Sequence, residues 1–118
     1  MTIQRKILNI PNYDARTYVQ HKEPFNANNI YARTHEATAD RPTDLYIVYS
    51  YGSHYPMFIA ETFNGITKWY ENCDKYSRTT SKHRSQSHPL VETVKLSTND
   101  MHRMSAYGIA GVVAHKEF

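Results

Sequence analysis

The sequence predicts an α+β domain: an antiparallel meander of roughly four to six strands packed against one C-terminal helix. Two stretches carry the prediction. Residues 45–70 hold β-branched and aromatic runs, LYIVYSY and MFIAET, around an Asn64-Gly65 turn. Residues 97–107 open with a capping signal and place methionines at helical spacing.

Asn-Gly between two strand-like runs suits a two-residue type I′ hairpin. That turn pairs Phe63 with Ile66 and, moving outward, Glu61 with Lys68, Ala60 with Trp69 and Ile59 with Tyr70. Opposite charges and an aromatic–β-branched pair then face each other, each worth about 0.2–1 kcal/mol. A slip by one residue would turn every side chain to the other face. Upstream, Gly52-Ser53 marks a turn, and Pro56 starts a strand where its missing amide is tolerated. By parity Tyr49 and Tyr51 share one strand face and Tyr46 lies on the other.

Before Leu45 the signals are weaker. Residues 3–10 read as a strand stopped by Pro11, and Asn12-Tyr13-Asp14 as a turn. Residues 15–23 fit a short strand or a helical turn, and FNANN reads as a turn. Ile30 to His35 reads as a strand, and Glu36 to Thr43, with Asp40, Arg41 and Pro42, as an exposed loop. After residue 70, Ser77–Pro89 reads as a polar basic loop, and Leu90–Leu96 as a returning strand. Ser97 can cap a helix, with Asp100 favourable to its dipole. Met101, Met104 and Tyr107 face inward, Gly108 stops the helix, and IAGVVAH forms a final strand or buried tail.

Length and composition bound the function. The 118 residues fit one domain with a modest core. Ten tyrosines suggest an amphipathic surface, since the ring buries while the hydroxyl stays at a polar boundary. Cys73 is the single cysteine, so an intramolecular disulfide and a cysteine-rich zinc site are excluded. No HExxH pair is present and the carboxylates are scattered, so neither a metal nor another cofactor is expected. No apolar run reaches a membrane span, and the N-terminus lacks a secretory pattern. The expectation is a soluble protein of the cytoplasm that does not engage membranes.

The net charge of +3 is mild, but the cations cluster. Lys75, Arg78, Lys82 and Arg84 lie in one stretch without an acid, interleaved with hydroxyls, with His83 inside it and His88 just after. Phosphate recognition uses this mixture of cationic donors, short hydroxyls and backbone amides. In this reading Arg78, Lys82 and Arg84 contact phosphate, with Lys75 and His83 adding charge. Thr80 and Ser81 donate hydrogen bonds, and Tyr76 or Trp69 stacks on a base. Protonation of the seven histidines below about pH 6.5 should strengthen such binding. The competing reading is a solvated Ser/Thr-rich loop. His54 and His83 form a nuclease-like acid–base pair only if the fold brings them together.

VYSYGSHYP, followed by KWYENCDKYSRTTSKHRSQSHP, resembles a recurring motif of small proteins encoded by bacteriophages and prophages. The resemblance spans about Tyr46 to Pro89, over a third of the chain. It carries no catalytic role. It implies a setting: an accessory phage protein in the host bacterial cytoplasm, of a kind that alters host nucleic-acid metabolism or blocks host defence. Nucleic acid, a nucleotide or a host defence protein are the partners expected. The lead is a binding protein, with a protein-docking inhibitor second and a metal-free nuclease third.

Overall fold

A computed structural model describes residues 6–75 and 77–116. Seven strands form one mixed sheet and lie across it in chain order. They are β1 (Leu8–Asn9), β2 (Phe25–Asn26), β3 (Ile30–His35), β4 (Asp44–Ser50), β5 (Pro56–Phe63), β6 (Ile66–Asn72) and β7 (Val94–Leu96). The helices are α1 (Ala15–Gln20), α2 (Arg78–Ser87) and α3 (Thr98–Lys116). The class is the α+β one expected, with a C-terminal helix. The meander β2–β6 is antiparallel, but both outer pairs, β1–β2 and β6–β7, are parallel.

This topology fixes where the helices go. Direction alternates from β2 to β6, so β1, β2, β6 and β7 all run the same way. Each parallel link is a strand–helix–strand crossover stepping in the same direction across the sheet. Crossovers of one hand then place α1 and α2 on the same face. They do meet: Arg16 of α1 donates to Ser85 and His88 carbonyls, and Gln20 to that of Pro89. α3 covers the opposite face.

The sheet is therefore a middle layer. Val19, Phe25, Val48, Met57 and Phe58 form the core on the α1–α2 side, and Ile47, Ile59, Met101, Met104 and Val112 that on the α3 side. Strands β4 and β5 are buried on both faces over nearly their whole length. That explains why LYIVYSY does not alternate cleanly.

The hairpin register is the one the Asn-Gly turn dictates: Glu61 opposes Lys68, Ala60 Trp69, and Ile59 Tyr70. Asn64 and Gly65 take φ of 52° and 78°, as a type I′ turn requires. Among the described residues Glu61 forms no ion pair with Lys68. Its Oε2 accepts from Thr43 Oγ1 at 2.8 Å and from the Ile109 amide at 3.3 Å.

Elsewhere the structure corrects the local readings. Of residues 3–10, only Leu8–Asn9 forms a strand, and Ile3–Arg5 lie outside the described residues. Asn12–Asp14 is a 3-10 turn. Residues 15–20 are helical, closed by Lys22 at φ 52°, with Lys22 and Glu23 amides returning to Val19 and Tyr18 carbonyls. This is a Schellman-type ending. FNANN begins as strand β2 and turns at Asn29, φ 61°. Arg41, expected on an exposed loop, is 3% exposed. Its guanidinium donates to the carbonyls of Ser105, Thr43 and Glu36.

Arg41 and Glu61 together explain α3. Ser97 caps it through the Asp100 amide, and Met101 and Met104 are fully buried, as expected. Gly108 does not end it but kinks it, at φ 76°, ψ −177°. The chain then resumes as helix rather than strand. Arg41 takes a carbonyl from the last turn before the kink, and Glu61 takes the first amide after it. Each charge sits at the helix end whose dipole it complements. Tyr107 points outward, 49% exposed.

Tyrosine parity holds for Tyr46 and Tyr49 but breaks at Tyr51. Tyr49 stacks on Tyr31 on the α3 side, at 4.8 Å between ring centres, while Tyr46 meets Trp69 on the other side. A register shift between Val48 and Tyr49 intervenes, and Tyr51 adopts φ 64°. Tyr51 therefore packs on His83 of α2 rather than sharing the face of Tyr49.

Candidate functional site

The segment expected as a loop, Ser77–Pro89, is mostly helix. Ser77 starts it: its Oγ accepts the Thr80 amide at 3.1 Å. The helix reads RTTSKHRSQS and contains no apolar residue. Its inward face is Thr80, His83 and Ser87, all buried. Seating therefore rests on hydrogen bonds. His83 Nδ1 lies 2.8 Å from Ser50 Oγ, and Ser87 Oγ donates to the His83 carbonyl at 2.7 Å. Arg84 Nη2 donates to Tyr55 Oη and to the Asp74 carbonyl, both at 3.0 Å. Two distant segments thus interlock: Ser50, Tyr51 and Tyr55 from VYSYGSHYP grip His83 and Arg84 from YSRTTSKHRSQ.

The far end of α2 is fastened as firmly. Arg16 donates to the Ser85 carbonyl at 2.5 Å and to that of His88 at 2.9 Å, placing a cation at the negative end of the helix dipole. Beyond it, the Leu90 amide donates to His88 Nδ1 at 2.9 Å. That leaves Nε2 to carry the proton, 3.3 Å from Glu71 Oε1. Glu71 is 6% exposed and also accepts from Thr93 at 2.7 Å and Lys95 at 3.0 Å. Burial pushes its pKa up, but the Thr93 and Lys95 hydrogen bonds outweigh this and hold it below the usual value. Arg84 Nε lies 4.0 Å from its second oxygen.

The expected phosphate contacts consequently divide. Lys75, Arg78 and Lys82 are exposed, and none makes a hydrogen bond or ion pair among the described residues. Arg78 and Lys82 are four apart on α2, so their Cβ atoms lie about 5–6 Å apart on one face. Arg84 is turned inward. Thr80 and His83 are buried beneath the helix. The Ser81 hydroxyl donates to the Ser77 carbonyl at 3.2 Å, leaving only its lone pairs outward. Trp69 is half-buried against Tyr46 and lines a groove of about 540 Å3 with Val91 and Val94, beyond the end of α2. Tyr76 lies outside the described residues.

The histidines do not respond to acid as one group. Burial, with the Lys82 charge second, holds the His83 pKa below its ordinary value. Burial and Arg41 do the same for His35. These two resist adding positive charge. His54 is exposed on the turn after Gly52, its carbonyl meeting His102 of α3, while His83 is sealed under Tyr51. One imidazole is exposed and the other buried. Among the described residues no three His, Cys, Asp or Glu side chains are placed to hold a metal ion, and no helix is long and apolar enough to cross a membrane.

Sequence reasoning missed Ser50, Tyr55, Arg16 and Glu71, the residues that seat α2. Each acts across a long sequence separation, and nothing local marks it. No protein-family model, curated protein or solved structure matches this chain.

Proposed function

We propose that this chain is a binding protein that engages a phosphate-rich partner, nucleic acid or nucleotide, through the outer face of α2. One observation carries the reading. Lys75, Arg78 and Lys82 face outward with no carboxylate on α2 to neutralise them, while the nearby acids are occupied. Glu71 is taken by Thr93 and Lys95, and the Asp74 carboxylate accepts the Thr98 amide at 2.7 Å. Like charges four apart destabilise a helix by about 0.2–0.5 kcal/mol. A polyanion relieves that repulsion. In the setting the phage resemblance implies, the protein is an accessory factor acting on host nucleic-acid metabolism or defence.

The test is fluorescence anisotropy with labelled DNA, RNA and nucleotide at low salt. Wild type binds at least one of these, and the combined Lys75→Ala, Arg78→Ala, Lys82→Ala variant loses that binding while keeping its circular dichroism. Absence of binding to all three probes overturns the proposal.

A second reading, docking onto a host protein, draws on the apolar patch beyond the C-terminal end of α2. Leu90, Val91 and Val94 are exposed large apolar residues clustered at the sheet edge beside the Trp69 groove. A pull-down from bacterial lysate that survives nuclease treatment and is lost in Val91→Asp supports it.

A further inference from the structure

Two exposed tyrosines stand on segments that pack against α2. Tyr13 is 80% exposed and makes no hydrogen bond or ring contact among the described residues. It sits on the 3-10 turn that packs against α2. Tyr51 is 47% exposed, and its ring centre lies 5.3 Å from that of His83, next to Lys82. Its φ of 64° is one that bulky residues seldom adopt. The Tyr51 amide, bonded to the Asn29 carbonyl at 2.8 Å, holds it there. Such backbone outliers concentrate where a side chain must be presented in a set direction.

Resting on the phosphate-binding reading, we infer that the partner is a single-stranded nucleic acid, with Tyr13 and Tyr51 as stacking faces flanking a track of Lys75, Arg78 and Lys82. The chemistry separates this from the alternatives. A duplex hides its base faces, so exposed rings beside the cations gain nothing from it. Inorganic polyphosphate offers charge without a face to stack. A single strand offers both: phosphates for the cations and unstacked bases for the rings, with little dependence on sequence. Asp14, the exposed residue after Tyr13, carries a carboxylate. It disfavours close phosphate approach there, so the ring rather than a cation makes the contact at that end.

The experiment measures affinity for a labelled oligothymidylate, for a duplex of the same length, and for polyphosphate as competitor. The oligothymidylate is expected to bind more tightly than the duplex. Tyr13→Ala and Tyr51→Ala should each weaken it about 5- to 160-fold, the range for loss of one stacked base. Tyr13→Phe, which keeps the ring, should bind as wild type does. Because Tyr51 also packs on His83, Tyr13→Ala decides the matter if Tyr51→Ala fails to fold. Suppose single strand and duplex bind equally and Tyr13→Ala changes nothing, while Arg78→Ala and Lys82→Ala still weaken binding. The inference is then overturned and the phosphate reading stands. If none of the nucleic acids binds while a nucleotide does, the inference alone fails; if the nucleotide does not bind either, both fail.

Discussion

Substituting Gly108 with alanine tests whether the kink in α3 is built into the fold. At φ 76°, ψ −177°, Gly108 occupies a region open essentially to glycine alone. Placing alanine there costs about 1–3 kcal/mol in backbone strain. The added Cβ would also stand 2.6 Å from Glu61 Oε2, well inside contact distance. Glu61 then has to withdraw from the Ile109 amide and the Thr43 hydroxyl. Hydrogen bonds to a charged group contribute about 1.5–3 kcal/mol. Partial relaxation of the long Glu61 side chain leaves a net destabilisation of about 3 kcal/mol. For a chain of this size, that is about 12 °C in melting temperature. The assay is thermal unfolding followed by circular dichroism, with Gly65→Ala as the comparison. Gly65 has a similar φ of 78° but nothing within 4 Å of the added Cβ, so it reports the strain of a left-handed turn residue with no clash. The Gly108→Ala loss should exceed the Gly65→Ala loss, and the excess should shrink in a Glu61→Gln background, where the neutral amide no longer anchors the kink. A Gly108→Ala variant that melts within about 2 °C of wild type refutes the reasoning.

Further outcomes follow from the seating of α2 and from burial. Ser77→Ala removes the N-cap of a helix with no apolar face, and should lower stability by about 0.5–2 kcal/mol. Hydrogen exchange should show α2 amides losing protection more than those of β5. Equal loss in both would show that α2 does not open separately. Arg41→Ala leaves the carbonyls of Ser105, Thr43 and Glu36 without their buried donor, and should cost about 3 kcal/mol in a urea titration. A loss under about 1 kcal/mol contradicts the role given to Arg41. His83 and His35 have folded pKa values lowered from 6.5 by burial. The unfolded chain therefore binds protons more readily. Their stabilisation is complete above about pH 6.5 and is lost as pH falls from there towards the lowered folded values. Urea unfolding at about pH 7.5 and pH 5.5 should show the decrease, and His83→Asn should reduce it. Stability unchanged between the two pH values refutes this account.

The sequence reveals structure where the determinants are local. Asn64-Gly65 sets the hairpin register through its own φ values, and Ser97 caps α3 through an amide three residues on. Met101 and Met104 reveal the inward face because burial there is apolar and periodic. α2 escapes the same reasoning because its inward face is Thr80, His83 and Ser87. Without an apolar stripe, RTTSKHRSQS looks like a solvated loop. The contacts that make it a helix come from Ser50, Tyr55 and Arg16, far away in the chain. Arg41 escapes for a related reason. A charged residue between Asp40 and Pro42 reads as solvent-facing, and the carbonyls that let it bury come from Glu36, Thr43 and, before the kink at Gly108, Ser105. The parallel outer pairs follow from helices inserted at each end of the meander, and only one of those helices had any signal. At the candidate site, the cationic cluster is legible as composition. Which cations face outward is decided by the phase of a helix the composition does not reveal.

Salt dependence of oligonucleotide binding tests the central claim most directly. Three phosphate contacts from Lys75, Arg78 and Lys82 predict that log K falls against log salt with a slope of about −2 to −3, and that the slope flattens by about one for each cation replaced with alanine. A slope near zero, or one that survives loss of all three side chains, would show that the outer face of α2 is not where the partner binds.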